Sequence, residues 1–351
     1  MHEPVGVLDL YAGAGGLSAG FQAAGGYRLA VAVETGQDAV STYEANRHGV
    51  AAITRDARDF GRRDLGQVSS GPVDVIIGGP PCQGFSVGGP RDPHHPSAEL
   101  LFEFARIVEE VRPAAFLLEN MPGLLSFQRG TVVDRLVRTL SRLTVGRYRY
   151  TVVLDVLDAA AYGVPQHRRR VFICGVLGEA LRCPAASSAR VTLIEAIGDL
   201  PEWTTSSPDE ELPLPKAYPL TPYQKAQRGA ADVLYNRSAK RLEERRLERL
   251  AVLREGDDRR TLPDHLKASG REGKYCRLRS SAPSPTILAH DTSGFIHPHD
   301  RSGRVRRASS PSMMMSVSSP KGCGCGPSGR ARSHWSSMAS LGSVSHWTSE
   351  P

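Results

Sequence analysis

The chain has 351 residues, 40% of them hydrophobic, and carries a formal net charge of +7 with a pI near 9.2. That length can bury a full core and hold one large domain plus a smaller one, and the basic balance permits a polyanionic partner without requiring one. No run approaches the ~18 consecutive apolar residues of a membrane span, and Met1-His2-Glu3-Pro4 lacks the basic-then-apolar opening of a secretion leader, so neither a membrane protein nor a secreted one is expected.

Val5-Gly6-Val7-Leu8-Asp9-Leu10-Tyr11 reads as a buried strand, followed by the glycine-rich Ala12-Gly13-Ala14-Gly15-Gly16 and a helix over 17–24. Strand, glycine loop and helix make a nucleotide cradle, because glycines admit a ligand close to the backbone and a helix start favours polar groups. A second strand over 28–33 ends at Glu34, an acidic residue placed to hold ribose hydroxyls. By itself this pattern fits a nicotinamide cofactor almost as well, or a tight turn with no ligand. A helix over 38–46 and a short strand over 52–54 follow, with Asp56 just beyond, either facing a ligand or lying in a solvated turn.

Val73-Asp74-Val75-Ile76-Ile77 is a β-branched run that reads as a buried parallel strand. It delivers Gly78-Gly79-Pro80-Pro81-Cys82-Gln83-Gly84-Phe85-Ser86. Two prolines fix φ and remove donors, so Cys82 sits on a stiff loop at a strand's carboxyl end, where open α/β sheets place ligands. A buried structural cysteine would explain neither the paired prolines nor the polar Gln83 and Ser86. Residues 90–96 form a polar loop with His94 and His95, a candidate lid over a substrate or a plain surface loop. The six cysteines show neither zinc spacing nor disulfide rhythm and these histidines lack partner ligands, so no metal site is expected in what fits a reducing cytoplasm.

Ser97 can cap a helix over 98–111. A strand over 114–118 then places Glu119 and Asn120 at its end, beside the Cys82 strand if the sheet is parallel and doubly wound. A helix over 131–143 and a strand over 150–157 precede Tyr162-Gly163-Val164-Pro165-Gln166-His167-Arg168-Arg169-Arg170, where Arg168 and Arg170 share one side of an extended segment. From 183 to 274 prolines and charges become frequent. A charged helix over 238–253 carries Lys240, Arg241, Arg245, Arg246 and Arg249, which either contact phosphates or line a solvated face.

Several of these stretches, in this order, resemble the DNA (cytosine-5) methyltransferase family of the Pro-Cys-Gln type. Asp9 to Phe21 is similar to its S-adenosylmethionine loop, Gly78 to Ser86 to its nucleophile loop, Gln166-His167-Arg168-Arg169-Arg170 to its Gln-x-Arg-x-Arg block, and Arg277 to Ile287 to the segment that seats its recognition domain. The resemblance covers roughly 5–175 and 275–298. It implies an α/β fold, a doubly wound and mostly parallel sheet with a smaller target-recognition domain. The implied division is a catalytic and cofactor-binding domain over 1–178, target recognition over 179–275, a return segment over 276–300, and a tail over 301–351.

The implied activity is methyl transfer from S-adenosyl-L-methionine to carbon 5 of cytosine in double-stranded DNA, through a covalent Cys82 adduct and base flipping. Glu119 would hold or protonate ring nitrogen 3, Arg168 would stabilise the carbonyl side and orient Glu119, and Arg170 would support the site. Cofactor contacts fall on Asp9, Tyr11, Ala12, Gly13, Gly15, Gly16, Leu17, Glu34, Asp56 and Pro80, and substrate contacts on Gln83, Ser86, Asn120, Gln166, Arg277 and Thr286. A cognate restriction endonuclease, a monomeric state and a cytoplasmic, nucleoid-associated location complete the expectation. A truncated or inactive member, a relative acting on transfer RNA and a nicotinamide-dependent oxidoreductase are the alternatives.

The tail departs from this pattern. It is serine-rich, and the family's later blocks are not recognisable in it. Met313-Met314-Met315 must be encoded as ATG-ATG-ATG, which in a neighbouring frame reads as aspartate codons, and an aspartate pair is what the next family block would hold. The tail after about residue 300 is therefore expected to be an out-of-frame and disordered product, tested by translating the gene in all three frames.

Overall fold

The computed structural model describes residues 3–47, 49–81, 97–187, 190–200, 212–214, 219–229, 231–234, 244–267 and 275–287. Among these, the residues up to Asp158 and Arg169–Ala186 belong to a first unit, and Ala159–Arg168 and the residues from Ser187 onward to a second.

The first unit is built on an eight-stranded sheet. Its strands are β1 (Val5–Leu10), β2 (Tyr27–Glu34), β3 (Ala52–Thr54), β4 (Val75–Gly78), β5 (Ala115–Asn120), β6 (Thr144–Val145), β7 (Tyr148–Asp158) and β8 (Arg169–Leu177), in the order β3-β2-β1-β4-β5-β8-β7-β6. β1 to β5 are mutually parallel, whereas β8 runs antiparallel to both β5 and β7. The sheet is therefore doubly wound and mostly parallel, with an antiparallel flank. The chain winds outward from β1 to β3 and returns to β4, so the carboxyl ends of β1 and β4 flank the switch point where such sheets bind ligands.

Both faces of the central strands are covered, which explains their near-continuous apolar runs. On one face Leu8, Leu10, Ile76, Phe116 and Leu118 pack with Leu101, Phe104 and Val108 of helix α4 (Ser97–Val111) and Leu136 and Leu140 of α5 (Thr131–Arg142). On the other, Val7, Leu29 and Ile77 pack with Phe21 of α1 (Gly16–Ala24) and Tyr43 of α2 (Gln37–Asn46). Phe104, Phe116 and Tyr150 stack edge to face, and the Tyr150 hydroxyl donates to the Pro113 carbonyl at 2.6 Å. Helix α3 (Arg62–Val68) and the 3-10 segment Pro122–Gly130 carry no strong sequence period and were not anticipated.

The second unit has its own small core of Leu193, Ala196, Ile197, Leu278 and Ile287. Thr192 and Thr221 cap two short helices, Leu193–Ile197 and Pro222–Arg228, each with a reciprocal bond from the residue three positions on. A buried ion pair, Arg228 Nε to Asp199 Oδ2 at 2.6 Å, ties them together. Within this unit Thr286 donates to the His167 carbonyl at 2.7 Å, and Gln166 bridges to Ser284. The charged helix is described over Glu244–Val252.

Candidate active site

The glycine loop follows β1 because the backbone there must turn left. Tyr11, Gly13 and Gly15 have φ of 55°, 54° and 91°, and only glycine takes such values freely. Nothing lies within 4 Å of where a Gly13 Cβ would be, so the loop leaves open space above it. Glu34, the last residue of β2, reaches into this turn: Oε2 accepts from Gly13 N at 2.8 Å, and Oε1 accepts from the amides of Thr35 and Gly36 at 2.8 and 3.0 Å. An open glycine cradle beside a carboxylate suits a nucleoside diol and a short polar tail, so these residues fit S-adenosylmethionine.

Asp9 stands behind the loop rather than in it. It is 1% exposed, and its Oδ2 accepts from the Ser18 hydroxyl at 2.6 Å, which in turn lies 2.8 Å from the Tyr43 hydroxyl. Burial pushes the Asp9 carboxyl up to about 7, partly opposed by the Ser18 bonds. The chain Asp9–Ser18–Tyr43 joins β1, α1 and α2 beneath the cradle; Asp9 and Ser18 fall within the motif Asp9 to Phe21, whereas no sequence signal pointed to Tyr43.

Asp56 lies past β3, next to Glu34 through the bond from Arg55 N to the Glu34 carbonyl at 2.9 Å. It caps the turn Ala57–Asp59 by accepting from Arg58 N at 2.9 Å, and Arg58 also pairs with its carboxylate on the exposed side. That pair holds the Asp56 carboxyl below the usual carboxylate range.

The second half of the site sits on β4, β5 and β8. Gly78 lies opposite Leu118 in the parallel register, so Gly79 passes directly beside the end of β5. A Cβ on Gly79 would stand 3.3 Å from Glu119 Oε2. Asn120 Nδ2 donates to the Pro80 carbonyl at 3.2 Å, and the Asn120 Oδ1 accepts from Met121 N at 2.9 Å. The acid and the start of the cysteine loop are thus held together two residues before Cys82. Cys82, Gln83 and Ser86 themselves, with His94 and His95, lie outside the described residues.

Glu119 and Asn120 are the last two residues of β5 rather than past its end, 8% and 2% exposed. Glu119 forms an ion pair with Arg170, Nε to Oε1 at 2.8 Å. Arg170, expected to support the site, thus touches Glu119 directly. Antiparallel β8 places it there: Asn120 pairs with Val171 in the register, so Arg170 arrives at the end of β5. Arg168 belongs to the second unit, half-buried, and Ala159 N donates to its carbonyl at 3.1 Å.

Further along that unit, Gln166 is buried and Ile287 N donates to its Oε1 at 3.4 Å, while Arg277 Nε donates to the Leu253 carbonyl at 2.7 Å. Arg245 and Arg249 bond the carbonyls of His265, Leu266 and Lys267. These two arginines do more than line a solvated face, because their donors fasten the helix to residues 265–267.

A family model for C-5 cytosine-specific DNA methylase matches residues 5–297. The chain belongs to that family. It is 35% identical over 311 residues to the Type II methyltransferase M.DdeI of Desulfomicrobium norvegicum, covering 83% of this chain and 74% of that one. It is 33% identical to the Type II methyltransferase M.AgeI of Thalassovita gelatinovora, covering 86% and 89%. Among solved structures, one assigned as a DNA modification methyltransferase of an E. coli prophage superposes with a TM-score of 0.67 at 24% identity, over 86% of this chain and 85% of that one. The methylase fold of the first unit is thereby shown. No helix among the described residues is long and apolar enough to cross a membrane.

Proposed function

We propose that this member of the C-5 cytosine DNA methylase family adds a methyl group to carbon 5 of cytosine in double-stranded DNA, with Cys82 as nucleophile. The supporting observation is the cluster at the end of β5: Glu119 paired with Arg170, beside Gly79 and with Asn120 holding the Pro80 carbonyl. Carbon 5 of cytosine is a poor nucleophile. Addition of the Cys82 thiolate to carbon 6 pushes electron density onto carbon 5, which can then accept a methyl group. Glu119 hydrogen-bonds or protonates ring nitrogen 3 and so offsets the negative charge that the addition creates. Arg170 holds the Glu119 carboxylate in place, and Arg168 serves the carbonyl side of the ring. A base then removes the proton from carbon 5 and Cys82 departs.

S-adenosylmethionine, when bound, supplies an electrophilic methyl group. On this reading Glu34 holds its ribose, Asp56 accepts from the adenine amino group, and Tyr11, Ala12, Gly13, Gly15, Gly16, Leu17 and Pro80 line the remainder, with Asp9 supporting from behind. A stacked base is out of reach of such a site, so the target is extruded, at a cost of a few kcal/mol. Gln83, Ser86, Asn120, Gln166, Arg277 and Thr286 are assigned to substrate. The kinship with Type II methyltransferases favours a cognate restriction endonuclease as partner, and the protein is read as a nucleoid-associated cytoplasmic monomer.

The test is covalent trapping. DNA carrying 5-fluorocytosine at the target should form a denaturation-resistant adduct with the chain in the presence of cofactor, and Cys82→Ser should form none while still binding cofactor. Adduct formation by Cys82→Ser overturns the assignment. The end of the family match at residue 297 favours a second reading, an inactive member. A folded chain that transfers no labelled methyl group, while a frame-restored version does, would establish it.

A further inference from the structure

We infer that Arg106 is a positioning residue for the adenine end of the cofactor site, acting from α4 through the turn that carries Asp56. The inference rests on the cofactor reading above. Arg106 Nη2 donates to two carbonyls of that turn, Ala57 at 2.9 Å and Phe60 at 2.8 Å. Its remaining edge is clamped on its own helix, Nε to Glu103 Oε2 at 2.6 Å and Nη1 to Glu110 Oε1 at 2.5 Å. The other Glu110 oxygen accepts from Arg62 N at 3.1 Å, the first amide of α3. One face of α4 therefore holds residues 57–62 at both ends, adding a second bond to the Ala57 carbonyl, which also accepts from Phe60 N at 3.3 Å, and matching an amide that a helix start leaves open.

On its β3 side the turn is tied through the Arg55 N bond to the Glu34 carbonyl at 2.9 Å, and the Arg106 grip fixes its far side. Asp56 is its cap, and its outward neighbour Arg58 is exposed. Ala57 and Phe60 anchor the turn in the core. The planar guanidinium, bonded to two carbonyls of the turn on one side and two carboxylates of α4 on the other, ties the turn's orientation to the helix. The same helix also anchors the opposite wall of the cradle, since the Tyr11 hydroxyl donates to the Leu100 carbonyl at 2.9 Å. α4 thus holds the glycine loop and the adenine turn in a single frame, and begins where the Cys82 segment ends.

The experiment compares two ligands by calorimetric titration of the full chain: S-adenosylhomocysteine and its inosine counterpart, which carries a carbonyl where adenine has its amino group. Wild type should prefer the adenine form by at least about tenfold, because an unmatched acceptor rejects the analogue. Arg106→Met should bring that ratio close to one, mostly by weakening the adenine form, and Arg106→Lys should recover part of it. Where Arg106→Met does not fold, Arg106→Lys carries the test with the same ratio as readout. A variant that keeps the wild-type ratio, or that loses affinity equally for both ligands, overturns the inference and leaves the cofactor reading standing. A wild-type chain that binds neither ligand overturns the cofactor reading, and the inference with it.

Discussion

Glu119 and Arg170 form a close ion pair with side chains only 11% and 16% exposed, at a point where the strand register leaves neither much freedom. Removing one member of such a pair leaves the other desolvated, which typically costs about 3–5 kcal/mol. Arg170→Met should therefore lower stability by about that amount in urea denaturation. The double variant Glu119→Gln, Arg170→Met should lose less than the sum of the singles. Glu119→Gln alone should slow turnover by at least ~10²-fold if its proton is used in the reaction, measured as labelled methyl incorporation. Nearby, Gly78 leaves no room for a side chain: a Cβ would lie 2.8 Å from the Leu10 carbonyl and 3.1 Å from the Phe104 ring. Gly78→Ala should cost about 1–3 kcal/mol by pushing β4 away from β1, an effect that thermal denaturation would register.

At the scale of elements, what was legible in the sequence followed local pattern. The parallel strands read well because they are buried on both faces and spell β-branched runs, and α4 and α5 read well because their apolar stripes repeat at helical spacing. The segment Pro122–Gly130 did not, since it is held by two residues in left-handed conformations, Gln128 and Arg129, rather than by a period. Nor did the role of Arg106, because its partners Ala57 and Phe60 are backbone carbonyls, which carry no residue identity. The glycine loop, Glu34, Glu119 and Asn120 were visible from type and spacing. The pairing of Glu119 with Arg170 needed the antiparallel register of β8, which no local signal encodes. In the second unit, Arg249→Ala should reduce stability rather than only salt-dependent DNA binding, because its guanidinium bonds the Leu266 and Lys267 carbonyls. A denaturation midpoint that does not move would return this arginine to the solvated face.

Across the whole molecule, the buried carboxyl of Asp9 makes stability depend on pH. Its folded value of about 7 lies above the ordinary 3.8. Both folded and unfolded chains hold the proton below about pH 4, whereas only the folded chain holds it between there and about 7. The stabilisation is therefore complete at low pH and lost as pH rises through about 7, a change of at most about 4 kcal/mol. Urea denaturation at pH 5 and 8 should show this decline in wild type and a flatter profile in Asp9→Asn.

The antiparallel flank has a temporal consequence. Every strand from β1 to β5 leaves the ribosome before β8 exists, and the partner of Glu119 lies 51 positions later in the chain. The glycine cradle can therefore assemble on the nascent polypeptide while Glu119 still waits for Arg170. Limited proteolysis of ribosome-stalled chains should find β1, β2 and β4 protected before β8 has emerged. In this protein, then, the acid–arginine pair would form only after the glycine cradle is already in place.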